Sequence, residues 1–121
     1  MTAMVWAGVV LIGGAGSVLR YVIDGAIASR TAGAFPYGTL VVNLSGSVLL
    51  GFVAGLTLNH NAALLAGTAA VGSYTTFSTW MFETQRLGED HQMRDLAMNV
   101  VVSLIAGVAA AALGRLVGSH V

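Results

Sequence analysis

The chain has 121 residues, of which 56% are hydrophobic and 8% charged, and its mean hydropathy is +0.83. A soluble domain of this size carries about 25% charged residues, so the polar side chains here are too few to cover a globule in water. Five arginines balance five acidic residues, which argues against a nucleic-acid partner, and the absence of cysteine excludes disulfides and thiolate metal sites. The composition indicates a membrane protein.

Four stretches are long and apolar enough to cross a membrane, since a spanning helix needs about 20 mainly apolar residues. They are residues 2–28, 38–58, 62–83 and 96–117. No basic segment precedes the first stretch, so we interpret it as a membrane span and not as a cleaved signal peptide. The short connections leave no room for a soluble domain. We therefore predict an all-α membrane protein with four transmembrane helices in a single domain, residues 1–121.

The second and fourth spans each carry a stripe of polar and small side chains that recur every four residues on one helix face. The stripes are Asn43, Ser47, Gly51 and Gly55 on the second span, and Asn99, Ser103, Gly107 and Ala111 on the fourth. One interpretation is a close helix contact, which small residues favour in membranes. The other is a polar track along an ion pathway. The stripes alone do not distinguish between the two.

The third span contains an unusual segment, residues 72–79, with six hydroxyl side chains. Glycine, serine and threonine form helices poorly, so we predict a helix break there. Irregular backbone at membrane depth persists only where it is buried in protein or lines a wet cavity, and a bound cation can satisfy the freed carbonyls. The alternative is a continuous helix whose hydroxyls bond to their own i−4 carbonyls.

The arginines are distributed unevenly between the two sides of the predicted bundle. Arg20, Arg30, Arg86 and Arg94 lie in or beside the first and third connections, whereas Arg115 alone lies on the side of both termini. The positive-inside rule therefore places the termini outside and the two longer connections in the cytoplasm.

Three motifs occur in order along the chain: GGAGSVLRY at residues 13–21, FPYGTLVVN at 35–43 and TTFST at 75–79. Together with the chain length, they resemble the Fluc (CrcB) fluoride-channel family over essentially the whole sequence. The resemblance implies a fluoride-selective channel that exports fluoride across the cell membrane, and not an enzyme. It also implies an antiparallel dimer in the lipid bilayer, with two pores lined by both subunits. The uneven arginines leave open whether the partner is a second copy or a paralogue.

The resemblance also implies roles for particular residues. Asn43 and Phe77 match pore-lining positions, Trp80 stands where a second phenylalanine is common, and Tyr74 stands where a smaller residue is usual. A structural sodium ion, the implied cofactor, would be held by main-chain carbonyls at Gly72 and Thr75. Further candidates for the fluoride pore are Thr76, Ser78, Thr79, Ser47 and Ser103, with Arg20 attracting anions at the vestibule.

These residue types suit a small, strongly hydrated anion, which needs hydrogen-bond donors to replace water. The Asn43 amide offers two N–H groups, aromatic rings carry positive potential at their edges, and Trp80 adds an indole N–H. Without the surrounding motif, Phe77 and Trp80 would be read as ordinary packing residues.

Three other functions are weaker on sequence grounds. A proton-coupled multidrug exporter of four helices needs an acid deep in the bundle, but the first acid in the first span is Asp24, near its end. A membrane scaffold leaves Asn43 and the hydroxyl-rich segment unexplained. The histidines of a hypothetical enzyme, His60, His91 and His120, lack the spacing of metal ligands.

Overall fold

The computed structural model describes residues 2–121, and this part of the chain is helical, with no strand. The helices are α1 (Ala3–Ala28), α2 (Tyr37–Gly55), α3 (60–74), α4 (Ser78–Glu89) and α5 (Met93–Ser119). Helix α3 consists of an α-helical turn, His60–Ala63, a π-helical segment, Leu64–Val71, and a final turn, Gly72–Tyr74. The π-helical segment has no counterpart in the sequence prediction.

Three of these helices, α1, α2 and α5, have 26, 19 and 27 residues and are long and apolar enough to cross a membrane. Large apolar side chains cover their outer faces, for example Leu11 at 72% exposed and Val108 at 71% exposed. Such surfaces are stable only in contact with lipid or a partner. The fold thus confirms a multi-pass membrane protein.

The predicted third span differs from the other three because no single helix covers it. Helix α3 ends at Tyr74 and α4 begins at Ser78, so the chain is interrupted at residues 75–77, inside the segment where the sequence predicts a break. The continuous-helix alternative is therefore wrong, although Ser73 and Thr75 do donate their hydroxyls to the i−4 carbonyls of Ala69 (2.6 Å) and Val71 (3.1 Å).

Helices α2 and α5 pack closely in their C-terminal parts through four glycines, each set against a backbone carbonyl of the facing helix. The pairs are Gly51 against Ala111, Gly55 against Arg115, Gly114 against Val48, and Gly118 against Phe52. A methyl group on any of these glycines would overlap the opposing backbone. The small-residue interpretation of the second-span stripe therefore holds for Gly51 and Gly55. We call this contact the glycine seam.

Residue numbers rise together along the two sides of the glycine seam, so α2 and α5 run parallel. The intervening residues must therefore carry the chain back along the length of the bundle, and α3 and α4 do so. Helix α1 packs closely on α3, since a methyl group at Gly16 would meet the Ser73 hydroxyl and the Ala70 carbonyl. The end of α3, where the break begins, is thus held against α1.

Candidate functional site

The helix break exposes main-chain polar groups, and Asn43 of α2 satisfies two of them. Helical hydrogen bonding ends with Thr75 N–H to Val71 O (3.0 Å) and resumes with Met81 N–H to Phe77 O (2.9 Å). Between them, Thr76 N–H donates to Asn43 Oδ1 (2.8 Å) and Asn43 Nδ2 donates to Thr76 O (2.9 Å). The Asn43 amide thus replaces the helical partners that the break removes. We call this pair of hydrogen bonds the Asn43 clamp.

Neighbouring residues fix the break further against α2. The Thr76 hydroxyl accepts the Thr79 N–H (3.2 Å), which caps the first turn of α4. The Tyr74 hydroxyl lies 2.9 Å from the Ser45 hydroxyl, so the large side chain at position 74 is anchored rather than loose. Gly46 permits this approach, because a methyl group there would overlap the Thr75 side chain.

A cavity of about 260 Å³ lies beside the Asn43 clamp, and we call it the aromatic cavity. Its lining residues are Asn43, Gly46, Ser47, Leu50, Thr75, Thr76, Phe77, Trp80, Ser103 and Leu104. The cavity therefore brings together six of the predicted pore residues: Asn43, Ser47, Thr76, Phe77, Trp80 and Ser103. Phe77 and Trp80 lie edge to face with ring centroids 5.7 Å apart, and Phe77 is 70% exposed on the protomer surface.

A second cavity, of about 200 Å³, lies on the other side of the break and also touches Thr76. Its lining residues are Arg20, Tyr21, Asp24, Thr39, Val42, Thr76 and Thr79. Thr79, which the sequence grouped with the pore, faces this cavity and not the aromatic one. Ser78 is exposed and lines neither cavity. The Arg20 guanidinium reaches the break itself, with Nη1 3.5 Å from the Thr75 carbonyl.

One expected donor is already used inside the protein. The Trp80 indole N–H donates to the Asn99 carbonyl (3.1 Å), so it is not free to meet an anion in the aromatic cavity. Asn99 is fully buried and its amide donates to Thr84 (2.9 Å). In the sequence, Asn99 stands out only as a member of the fourth-span stripe, four residues before Ser103, and Thr84 belongs to no motif.

The fold and the site define a class of protein: a multi-pass helical membrane protein with a polar cavity at a broken helix, as in channels and transporters. The family model described as "CrcB-like protein, Camphor Resistance (CrcB)" matches residues 7–115. The chain belongs to this family, the Fluc (CrcB) family.

Several curated relatives align over nearly the full chain. A protein of Mycolicibacterium paratuberculosis named fluoride-specific ion channel FluC 2 is 65% identical over 94% of this chain and 93% of its own length. A Mycobacterium tuberculosis protein of the same name is 62% identical over 95% of this chain and 91% of its own. The fluoride-specific ion channel FluC 1 of Leifsonia xyli is 38% identical over 98% of this chain and 89% of its own length. The family is one of ion channels, and the chain is therefore not an enzyme.

Proposed function

We propose that this chain is a subunit of a fluoride-selective channel that exports fluoride across the cell membrane and lowers its cytoplasmic concentration. The observation that carries the proposal is the aromatic cavity, where Asn43, Phe77 and Trp80 meet at the helix break in a relative of proteins named fluoride-specific ion channels. The same relationship removes the support for a multidrug exporter.

The cavity can replace part of the hydration of a small anion. The Asn43 amide has two N–H groups and gives one to the Thr76 carbonyl, which leaves the second for the ion. The Ser103 hydroxyl adds a donor, whereas the Ser47 hydroxyl already donates to the Asn43 carbonyl (2.8 Å). The edge-to-face aromatic pair presents positive ring edge. The lining residues include no arginine, and such weak donors allow the ion to leave again.

We further propose that a second subunit completes the pore in an antiparallel dimer. Support comes from Phe77, whose side chain is 70% exposed and forms one side of a cavity that the protomer does not close. A partner in the opposite orientation would cover this face and supply the second wall of each of two pores. The partner is either an identical chain inserted the other way or a paralogue, and the arginine distribution favours a single orientation for this chain.

A structural sodium ion between the subunits is the third part of the proposal. Because Thr76 N–H donates to Asn43, the Gly72 carbonyl lacks its i+4 helical partner. Gly72 and Thr75 line one groove of about 500 Å³ between α2 and α3, where a monovalent cation would neutralise the dipoles of any carbonyls directed at it. Arg20 approaches the Thr75 carbonyl, but a carbonyl oxygen has two lone pairs and can serve both cations.

The fluoride proposal is tested by efflux from liposomes that contain the purified protein. We expect rapid fluoride efflux and chloride efflux near that of protein-free liposomes, because the cavity's donors suit the smaller, more strongly hydrated ion. Equal release of both ions, or fluoride release no faster than from empty liposomes, would overturn the proposed function.

The sodium proposal predicts that dimer affinity depends on this ion. Replacing sodium by N-methylglucamine at constant ionic strength should weaken the dimer about tenfold if sodium is initially present at about ten times its dissociation constant. Energy transfer between labelled subunits diluted in liposomes measures the dimer dissociation constant. Identical constants in the two salts would show that no sodium ion holds the subunits together.

A further inference from the structure

Three hydrogen bonds form a closed cycle between α4 and α5. Trp80 Nε1 donates to Asn99 O (3.1 Å), Asn99 Nδ2 donates to Thr84 Oγ1 (2.9 Å), and Thr84 Oγ1 donates to Trp80 O (2.8 Å). Trp80 takes part in two of these bonds, through its indole N–H and through its main-chain carbonyl. We call this arrangement the Trp80 cycle. It connects a wall of the aromatic cavity to the buried side of α5.

Packing alone does not account for the burial of the Asn99 side chain. Its side chain is completely buried, yet its Oδ1 has no hydrogen-bond partner within residues 2–121. An amide with one unpaired end in an apolar bundle is unfavourable, and such a group needs an explanation other than stability. The bond that its Nδ2 makes to Thr84 supplies one, because that bond closes the Trp80 cycle.

The cycle has a direct consequence for the cavity. An indole turns about two side-chain torsions, and an unbonded one can reverse its plane. The bond to the Asn99 carbonyl selects one orientation, with the N–H directed at α5 and the ring forming part of the cavity lining. Phe77 packs edge to face on that ring at 74°, so a turn of the Trp80 ring would also change its contact with Phe77.

We infer that Asn99 and Thr84 are positioning residues, which hold the Trp80–Phe77 pair in the orientation that sets the width and the anion selectivity of the aromatic cavity. Their effect on ion selectivity rests on the proposed function. Their effect on the indole does not, because the indole can be observed whether or not ions pass. The two are therefore measured separately.

The first experiment reports on the indole alone. The chain has two tryptophans, so Trp6→Phe leaves Trp80 as the single tryptophan of the chain, which is excited selectively over the tyrosines. In this background we expect Thr84→Val to raise the acrylamide quenching constant about twofold, because it removes both hydrogen bonds of the Thr84 hydroxyl and leaves the indole held only by its bond to the Asn99 carbonyl. Thr84→Ser keeps the hydroxyl and should behave like the parent.

Two further variants make this measurement decisive. Thr31→Val removes an i−4 hydroxyl bond of the same type, to Ile27 (3.0 Å), at a residue that takes no part in the cycle, and should leave quenching unchanged. Asn99→Leu removes the amide but fills its space, and tests the same point if Thr84→Val does not assemble. Unchanged quenching in Thr84→Val, or in Asn99→Leu where Thr84→Val does not assemble, would overturn the inference.

The second experiment measures the coupling between Thr84 and the indole. With tryptophan at position 80, Thr84→Val should lower the ratio of fluoride to chloride flux about fivefold, the effect of one net hydrogen bond. In a Trp80→Phe background, the ring at position 80 has no N–H. Thr84→Val should then change the ratio of fluoride to chloride flux by less than about 1.5-fold, because Thr84 no longer has an indole to orient. Equal losses in both backgrounds would show that Thr84 acts only on helix packing, and would contradict the inference.

If the unmodified protein passes no fluoride, the proposed function fails, and the quenching data still decide the positioning role.

Discussion

Asn43→Ala should nearly abolish fluoride flux, with a loss of about 100-fold or more. The alanine removes the one spare N–H donor in the cavity and both hydrogen bonds of the Asn43 clamp. It leaves the buried N–H and C=O of Thr76 without partners, and each such group costs about 1–3 kcal/mol. Liposome efflux measures the flux, and thermal unfolding in detergent measures the stability.

Two comparisons separate the clamp from the donor. Asn61→Ala removes the same amide at an exposed site at the start of α3 and should change neither quantity. Asn43→Asp keeps an acceptor for Thr76 N–H but has no N–H donor and adds a negative charge, so it should still exclude fluoride. Normal flux through a correctly assembled Asn43→Ala protein would remove Asn43 from the mechanism.

Gly114→Ala should lower the free energy of unfolding by about 1–3 kcal/mol, the usual cost of overpacking a tight contact. The added methyl group meets the Val48 carbonyl, and a backbone oxygen cannot rotate away as a side chain can. Helices α2 and α5 must then separate, and the aromatic cavity between Asn43 and Ser103 must change shape. We expect a lower midpoint of thermal unfolding and reduced fluoride flux.

Gly25→Ala is the matched control, because a methyl group at that position of α1 has no other atom within 4 Å. Alanine forms helices better than glycine by about 1 kcal/mol, so this variant should be as stable as the parent or more so. If Gly114→Ala and Gly25→Ala had the same midpoint of thermal unfolding, the result would contradict a close contact between α2 and α5 at the glycine seam.

The sequence predicted those features that depend on local composition. Hydropathy located α1, α2 and α5, and the poor helix formers in residues 72–79 located the break. The motif positions brought Asn43, Phe77 and Trp80 to one site. Each of these signals lies within a short stretch of chain, so it can be read without knowing how the helices rotate against one another.

Features that depend on contacts between distant segments could not be predicted. Trp80 was expected to offer its N–H to the ion, but rotation of α4 directs the indole to the Asn99 carbonyl. At membrane depth, a donor binds the nearest available acceptor. Likewise, the separation of Thr79 from the aromatic cavity depends on how α4 leaves the break. The dimer and the sodium ion remain predictions, since both involve a second chain.

The Asn43 clamp also bears on the order in which the chain enters the membrane during synthesis. Helix α2 is made before α3, whereas its other long partner, α5, is made last. The break at residues 75–77 must enter the bilayer with bare main-chain groups, which hydrocarbon does not tolerate. Asn43 is already in place on α2 to accept the Thr76 N–H. The nascent chain therefore supplies the hydrogen-bond partner for the segment that cannot insert as a helix.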